Sequence, residues 1–291
     1  MGLSFTVKNP AASGNKHITA RRTVLVTGAA GRIGSYFARF AADRYLLRLM
    51  VHHLDEKAGE LEDFGEVIEC DLANLDMLKS AFQDVDTVVH LAGDPDPNAV
   101  WEDLLEANIK GTYNVFVAAK TARCSRVIFA SSIHAVSGYP ADVQVRTTEP
   151  VNPGDLYGVS KCFGEALARY FAEREGVSAI ALRIGAFQPL EAAQDPGSVG
   201  LMDRFISERD LSRLILNCIE DDKLQFAIFH ALSDNRFKRL DITDARELVG
   251  YQPEDDFTTE NPALEQLDLR NQVSAGNASD RGTKSGIRRD L

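Results

Sequence analysis

From Thr23 onward the chain alternates short apolar runs with longer amphipathic ones. TVLVTG (23–28) is a β-branched run closing on glycine, the pattern of a buried strand entering a tight turn. GSYFARFAADR, which follows, predicts a helix. LLRLMV (46–51) and EVIECD (66–71) predict two more strands, and NLDMLKSAFQ (74–83) a helix with Asn74 as N-cap. TVVHLAG (87–93), RVIFASS (126–132) and SAIALRIG (178–185) predict further strands. Between them, WEDLLEANIKGTYNVFVAAKTA (101–122) and YGVSKCFGEALARYFAERE (157–175) predict long helices. Strands written as continuous apolar runs are buried on both faces, which requires a parallel sheet with helices on either side. Right-handed crossovers then make it a doubly wound α/β sheet.

Beyond Gly185 the pattern weakens. SERDLSRLILNCIEDD (207–222) predicts a helix with a Ser-x-x-Asp start, close to a capping box. QFAIFHAL (225–232) predicts a strand, and DITDARELVG (241–250) a short helix stopped by glycine. The expected organisation is a loose leader over 1–20 and a single domain over 21–257, with a small C-terminal substrate lobe mainly in 186–257. The polar residues 258–291 are expected to form a disordered tail. A lobe this small suits a small-molecule ligand.

Charge narrows the partners. Lysine and arginine total 32 against 43 acidic residues, a net charge of −11 that repels a phosphate backbone and argues against nucleic acid. Cys70, Cys124, Cys162 and Cys218 show no C-x-x-C spacing, so neither a disulfide framework nor a metal site is expected, and free thiols fit a reducing compartment. No apolar run approaches the ~20 residues of a membrane span, and the N-terminal stretch has no long apolar signal region. The expectation is a cytoplasmic protein with no membrane partner.

Three motifs carry chemistry. TGAAGRIG spaces Gly28, Gly31 and Gly34 as G-x-x-G-x-x-G between a strand and a helix, where the backbone can approach a pyrophosphate at a positive helix N-terminus. Asp71, closing the third strand, can accept a hydrogen bond from an adenine amino group or cap the next helix. HLAG (90–93) ends the fourth strand in small residues. The strand end IFASS brings Ser132 to the sheet edge where ligands bind, 25 residues before Tyr157. Tyr157 and Lys161, at i and i+4, share a helix face. An ammonium there is expected to depress the tyrosine pKa and hold a ribose hydroxyl, while Ser132 holds the substrate oxygen as Tyr157 exchanges its proton. At the end of the second strand, where a ribose carboxylate is usual, stand Val51 and His52, with Asp55 later. Arg32, His52 and His53 either attract a 2′-phosphate or are solvated surface, so NAD and NADP both stay open.

TGAAGRIG, CDLAN, HLAG, EANIKGTYNV, FASS and YGVSK together resemble the extended short-chain dehydrogenase/reductase superfamily over roughly residues 22–255. FASSIHAVSGYP, LYGVSKCFGEALARY and LRIG look like its uronate dehydrogenase branch, which also resembles archaeal NAD-dependent glucose-6-phosphate dehydrogenases. The resemblance implies a Rossmann-like fold and hydride removal from the anomeric carbon of a sugar to NAD or NADP, by a triad of Ser132, Tyr157 and Lys161. It implies cofactor contacts from Gly28, Arg32, Ile33, Gly34, Asp71, Leu72, Leu91, Ala92, Gly93, Asn108 and Ile184, with Gly31 in the same glycine run. Ile133, His134 and Ala186 match substrate-pocket positions beside Ser132 and Tyr157. The long helices could also pack against a second copy, as in relatives. The branch has asparagine at Ile133 and serine at Ala186, and its carboxylate-binding arginine falls near Gly200, in a stretch that lacks arginine until Arg204. Alternatives within reach are a nucleotide-sugar epimerase or dehydratase with tightly held NAD, and a non-catalytic dinucleotide sensor.

Overall fold

The computed structural model describes residues 21–265. Seven parallel strands form the main sheet: β1 (Thr23–Thr27), β2 (Leu46–Val51), β3 (Glu66–Glu69), β4 (Thr87–His90), β5 (Arg126–Ser132), β6 (Ser178–Ile184) and β9 (Phe226–Ala231). A short pair, β7 (Ala186–Gln188) and β8 (Phe205–Ser207), lies beside it. The strand order β3-β2-β1-β4-β5-β6-β9 reverses direction between β1 and β4. That reversal opens a crevice at the carboxyl ends of β1 and β4, the usual ligand position in such sheets.

Among the described residues ten α-helices accompany the strands: α1 (Arg32–Ala41), α2 (Glu56–Gly59), α3 (Leu75–Ala81), α4 (Trp101–Leu104), α5 (Thr112–Ala122), α6 (Leu156–Glu175), α7 (Glu208–Glu220), α8 (Thr243–Val249), α9 (Phe257–Glu260) and α10 (Pro262–Glu265). Period-two alternation divides the apolar side chains between two cores. Val24 and Val26 face one way with Phe37 of α1 and Leu214 of α7. Leu25 faces the other way, with Leu78 of α3, Phe116 of α5 and Phe171 of α6. Asn74 caps α3 by accepting from the Met77 N–H (3.1 Å), Ser207 caps α7 by accepting from the Asp210 N–H (3.1 Å), and Gly250 closes α8 at φ 67°. The four cysteines are free thiols, three of them buried.

The structure departs from the sequence reading in three places. The expected tail boundary at 258 is wrong: α9 and α10 continue the fold, because Phe257, Thr258, Asn261 and Leu264 are buried and Asn261 donates to the Ala193 and Asp195 carbonyls at 2.8 Å. Residues 266–291, like the leader over 1–20, lie outside the described residues. The helix expected over 101–122 is interrupted by a π-helical stretch, Leu105–Gly111. Within it Asn108 is buried with its amide fully engaged, which offsets the poorer helix geometry. The weakly patterned stretch after Gly185 contains β7, two 3-10 segments and β8.

Candidate active site

The glycine run builds a cradle. Gly28 has φ 67°, and a Cβ there would stand 2.8 Å from the Ala92 nitrogen, so only glycine lets the β1 turn lie against the β4 turn. At Gly34 a Cβ would collide with the Gly28 carbonyl. Gly31 is the N-cap of α1 without a side-chain bond, and the first turn carries no acidic residue. The leading N–H groups of α1 are thus available to an anion. This cradle fits a dinucleotide pyrophosphate.

A buried relay fixes the facing turn. The Thr27 hydroxyl accepts from the Leu91 and Ala92 N–H groups, both at 3.1 Å, so its own proton goes to His90 Nδ1 at 2.8 Å. Nε2 of His90 then carries the ring proton toward the Thr112 hydroxyl (3.3 Å). Burial, with a smaller contribution from Lys161, lowers the His90 pKa to about 3, and the ring stays neutral. Thr27→Val, which keeps the volume, strands two half-buried N–H groups and the buried imidazole. We expect it to weaken NADH binding and to cost about 1–3 kcal/mol of stability, read by fluorescence titration and urea unfolding.

A cavity of about 1180 Å³ fills the crevice, at or above the roughly 300–1,000 Å³ of small-ligand pockets. Gly28, Gly31, Arg32, Ile33 and Gly34 form one wall; Asp71 and Leu72 lie at the β3 end. Leu91, Ala92 and Gly93 follow β4, and Ser132, Tyr157, Lys161, Ile184 and Ala186 close the far side. Asp71 spends one carboxylate oxygen on the Ala73 N–H (2.9 Å), and the cap of α3 falls to Asn74.

β5 delivers Ser132 to its carboxyl end, and α6 starts at Leu156 under the cap of Asp155, whose carboxylate accepts from the Gly158 N–H (2.6 Å). The other Asp155 oxygen accepts from His134 Nδ1 (2.7 Å), and the His134 ring meets Tyr157 in a T-shaped contact with centroids 5.3 Å apart. Lys161 Nζ lies 5.4 Å from the centre of the Tyr157 ring and 5.5 Å from that of Phe129. The expected depression of the tyrosine pKa is not found. Burial raises it; hydrogen bonding with Ser132 pulls down, while Asp155 and Asp94 push up. Lys161 is itself buried, which lowers its pKa to about 8 against an upward pull from Asp94. The i, i+4 spacing does place Lys161 beside the ring, but burial sets the direction of the tyrosine's shift.

Three sequence-assigned residues sit elsewhere. Ile133 opens a 3-10 turn and packs on the hydrophobic core instead of lining the cavity. His134 stands beside Tyr157, held by Asp155, and is not in the cavity wall. Asn108 lies behind the wall: its oxygen accepts from the Asp94 N–H (2.8 Å), and its NH₂ donates to the Asp94 carbonyl (3.1 Å) and the Ser160 hydroxyl (3.0 Å). It thereby ties the Gly93–Asp94 turn to α6, beside Lys161. A Cβ at Gly93 (φ 154°) would stand 2.7 Å from the Asn108 oxygen.

Sequence reasoning missed the network under Ser132. Glu165, one turn after Lys161, receives Nε and a terminal nitrogen of Arg183 at 2.8 Å each, and the Ser131 hydroxyl at 2.6 Å. Both ions are buried, Arg183 1% and Glu165 3% exposed. Nδ1 of His230 donates to the Asp241 carbonyl (2.9 Å), leaving Nε2 to face Arg183 at 3.5 Å. Only the i+4 step from Lys161 to Glu165 hinted at this in the sequence. Burial lowers the His230 pKa to about 4. His230 and His90 both have folded values below the ordinary ~6.5, so the unfolded chain binds more protons between. Their stabilisation is complete above pH ~6.5 and is lost as pH falls toward 4 and then 3. We expect unfolding free energy to drop across that window by up to about 1.4 kcal/mol per pH unit for each histidine, measured by urea unfolding at stepped pH.

At the second strand end, Asp55 is occupied as the N-cap of α2, accepting from the Ala58 N–H (3.0 Å), and the Glu69 carboxylate accepts from the Leu54 N–H (3.1 Å). Arg204 pairs with the adjacent Asp203 (3.2 Å) and does not line the cavity. Among the described residues no cluster of three or more histidine, cysteine, aspartate or glutamate side chains is assembled for a metal.

The chain is similar to known proteins. The family model for the NAD dependent epimerase/dehydratase family matches residues 24–236. The chain is 35% identical to an NAD-dependent glucose-6-phosphate dehydrogenase of Haloferax volcanii, over 84% of this chain and 98% of that protein. It is 34% identical to an L-arabinose 1-dehydrogenase (NAD(P)(+)) of the same organism, over 81% and 98%. The structure of uronate dehydrogenase from Agrobacterium tumefaciens superposes with a TM-score of 0.72 at 28% identity, covering 89% of this chain and 91% of that one. With its glycine cradle at the switch point of a seven-stranded sheet, the chain belongs to the NAD dependent epimerase/dehydratase family.

Proposed function

We propose that the protein is an NAD(P)-dependent dehydrogenase that oxidises a small sugar at its anomeric carbon. The observation that carries this reading is convergence: the glycine cradle and the Ser132, Tyr157 and Lys161 side chains open into one cavity. Gly28, Gly31, Ile33 and Gly34 would hold the pyrophosphate through backbone approach, and Asp71, with a carboxylate oxygen to spare, the adenine. Bound NAD would supply the hydride acceptor. Ser132 donates its hydroxyl hydrogen to the substrate oxygen and orients it. Tyr157, as phenolate, takes the proton of the anomeric hydroxyl while the C1 hydrogen departs with its electron pair, leaving a lactone carbonyl. Lys161, buried on α6 between the Tyr157 and Phe129 rings, supports the ribose and the phenolate side of Tyr157. Relatives named for glucose 6-phosphate, L-arabinose and uronate fit this reaction type.

A small, water-dissolved substrate suits a cavity of this size. Among the described residues no helix is long and apolar enough to cross a membrane, and the free thiols accord with a reducing, cytoplasmic setting. The test is formation of reduced nicotinamide from added NAD or NADP across a panel of uronates, sugar phosphates and neutral aldoses. Net reduction with one class supports the dehydrogenase. Sugar interconversion without net reduction, by protein carrying its own NAD, would replace it with an epimerase.

A further inference from the structure

We propose that Arg32 anchors an anionic group of the substrate, a carboxylate or a phosphate carried by the sugar. It would do so from the nucleotide-binding half of the cavity, in place of the arginine that the resemblance puts near Gly200 and this chain does not have there. The inference rests on the sugar dehydrogenase reading and adds to it a substrate class.

The direction of the side chain carries the proposal. Arg32 is the first residue of α1, yet its guanidinium leaves the glycine cradle and crosses to β7. One terminal nitrogen donates to the Phe187 carbonyl (3.0 Å) and to the Gln188 side-chain oxygen (2.9 Å), and the group lies 5.9 Å from the centre of the Phe187 ring. Phe187 and Gln188 follow Ala186, where the chain enters the substrate lobe, and all three line the cavity. The guanidinium thus bridges the two halves of the site.

Its bonding leaves it unspent. Both acceptors are neutral, and no carboxylate pairs with Arg32 among the described residues. Glu208 feels its field, with Glu191 acting in the opposite sense, and an incoming anion must compete with both. A guanidinium carries five N–H donors in a planar fork, so its Nε and second terminal nitrogen remain for a ligand. Each bidentate edge of the guanidinium includes the terminal nitrogen already spent on Phe187 and Gln188, so a carboxylate or phosphate engages in bidentate geometry by taking the place of Gln188 there. Gln188 then acts as a placeholder that an anion can displace without leaving a donor bare. Three other cations among the described residues are poorly placed. Arg204 points to Asp203 outside the cavity wall, Arg183 is locked on Glu165, and Lys161 is buried against Tyr157 and Phe129.

The experiment compares wild type with Arg32→Gln on matched sugars: galacturonate against galactose, and glucose 6-phosphate against glucose. The dissociation constant of NADH is measured on both proteins by fluorescence. The variant is expected to raise KM for the anionic member about 10- to 100-fold. The ratio of the anionic to the neutral KM should therefore rise about 10- to 100-fold, a change that any loss shared through cofactor binding leaves untouched. Whichever anionic arm responds identifies carboxylate or phosphate as the group held. Equal losses on anionic and neutral sugars, an indifferent variant, or a wild type that prefers the neutral member would overturn the anchor while sugar oxidation stands. NADH binding weakened by the same factor as KM would reassign Arg32 to the cofactor. A wild type that binds NADH but oxidises no sugar ends the sugar reading and the anchor together.

Discussion

Replacing Tyr157 with phenylalanine should lower turnover by about 10²- to 10⁴-fold, the usual loss for an acid–base group, with little change in NADH affinity. Only the hydroxyl is removed. The ring keeps its edge contact with His134 and its place beside Lys161, so the cavity retains its shape. Burial raises the pKa of this phenol, and the base form is the phenolate. Oxidation by the wild type is therefore expected to speed up with rising pH, while residual activity of the variant loses that rise. Steady-state rates across pH, on both proteins, check the two statements together. Undiminished turnover by the variant would remove Tyr157 from the chemistry.

The second large effect is on stability. Glu165→Leu leaves the Arg183 guanidinium, 1% exposed, without its carboxylate, and should cost about 3–5 kcal/mol. Ser131 and His230 cannot compensate: one supplies a hydroxyl, the other a single ring nitrogen at 3.5 Å. Removing both ions, as Glu165→Leu with Arg183→Met, should recover much of that loss, because a buried pair and an apolar pair of similar volume are often comparable. Urea unfolding of the two variants measures the difference. A single variant within about 1 kcal/mol of wild type would mean that water or a rearranged partner reaches Arg183.

Much of the fold was legible wherever burial wrote itself as composition. β2 and β5 coincide with the apolar runs at 46–51 and 126–132, because a central parallel strand is apolar on both faces. The turn at Gly28 and the cap at Asn74 were legible for a different reason: the turn needs glycine, and the cap one of a few short polar side chains. The stretch 258–265 was not, since Phe257 and Leu264 are anchors too sparse to make a period. The π-helical stretch was hidden as well. Helical periodicity does not distinguish it, and only the partners of Asn108, at Asp94 and Ser160, explain it.

The site divides similarly. Glycine spacing, the strand-end serine and the tyrosine–lysine step name the residues around the cavity, because each motif is local in sequence. The burial of Lys161 is not local. Nor is the burial of Tyr157, which raises its pKa against the pull of Ser132. Ile133 shows the limit of transfer by resemblance: one residue past Ser132 the chain enters a 3-10 turn, which sends the side chain to the core. Glu165 and Arg183 pair across a helix and a strand, so the step from Lys161 to Glu165 points to the carboxylate but not to its partner.

The most direct test follows the C1 hydrogen itself. A sugar that the protein oxidises is supplied with deuterium at C1, and the reduced nicotinamide and the sugar product are examined by mass spectrometry. One deuterium in each reduced cofactor, with the sugar recovered as lactone or its hydrolysed acid, is the result expected if this cavity transfers hydride from the anomeric carbon. Reduced cofactor without the label, or a sugar epimerised with its oxidation level unchanged, would contradict it.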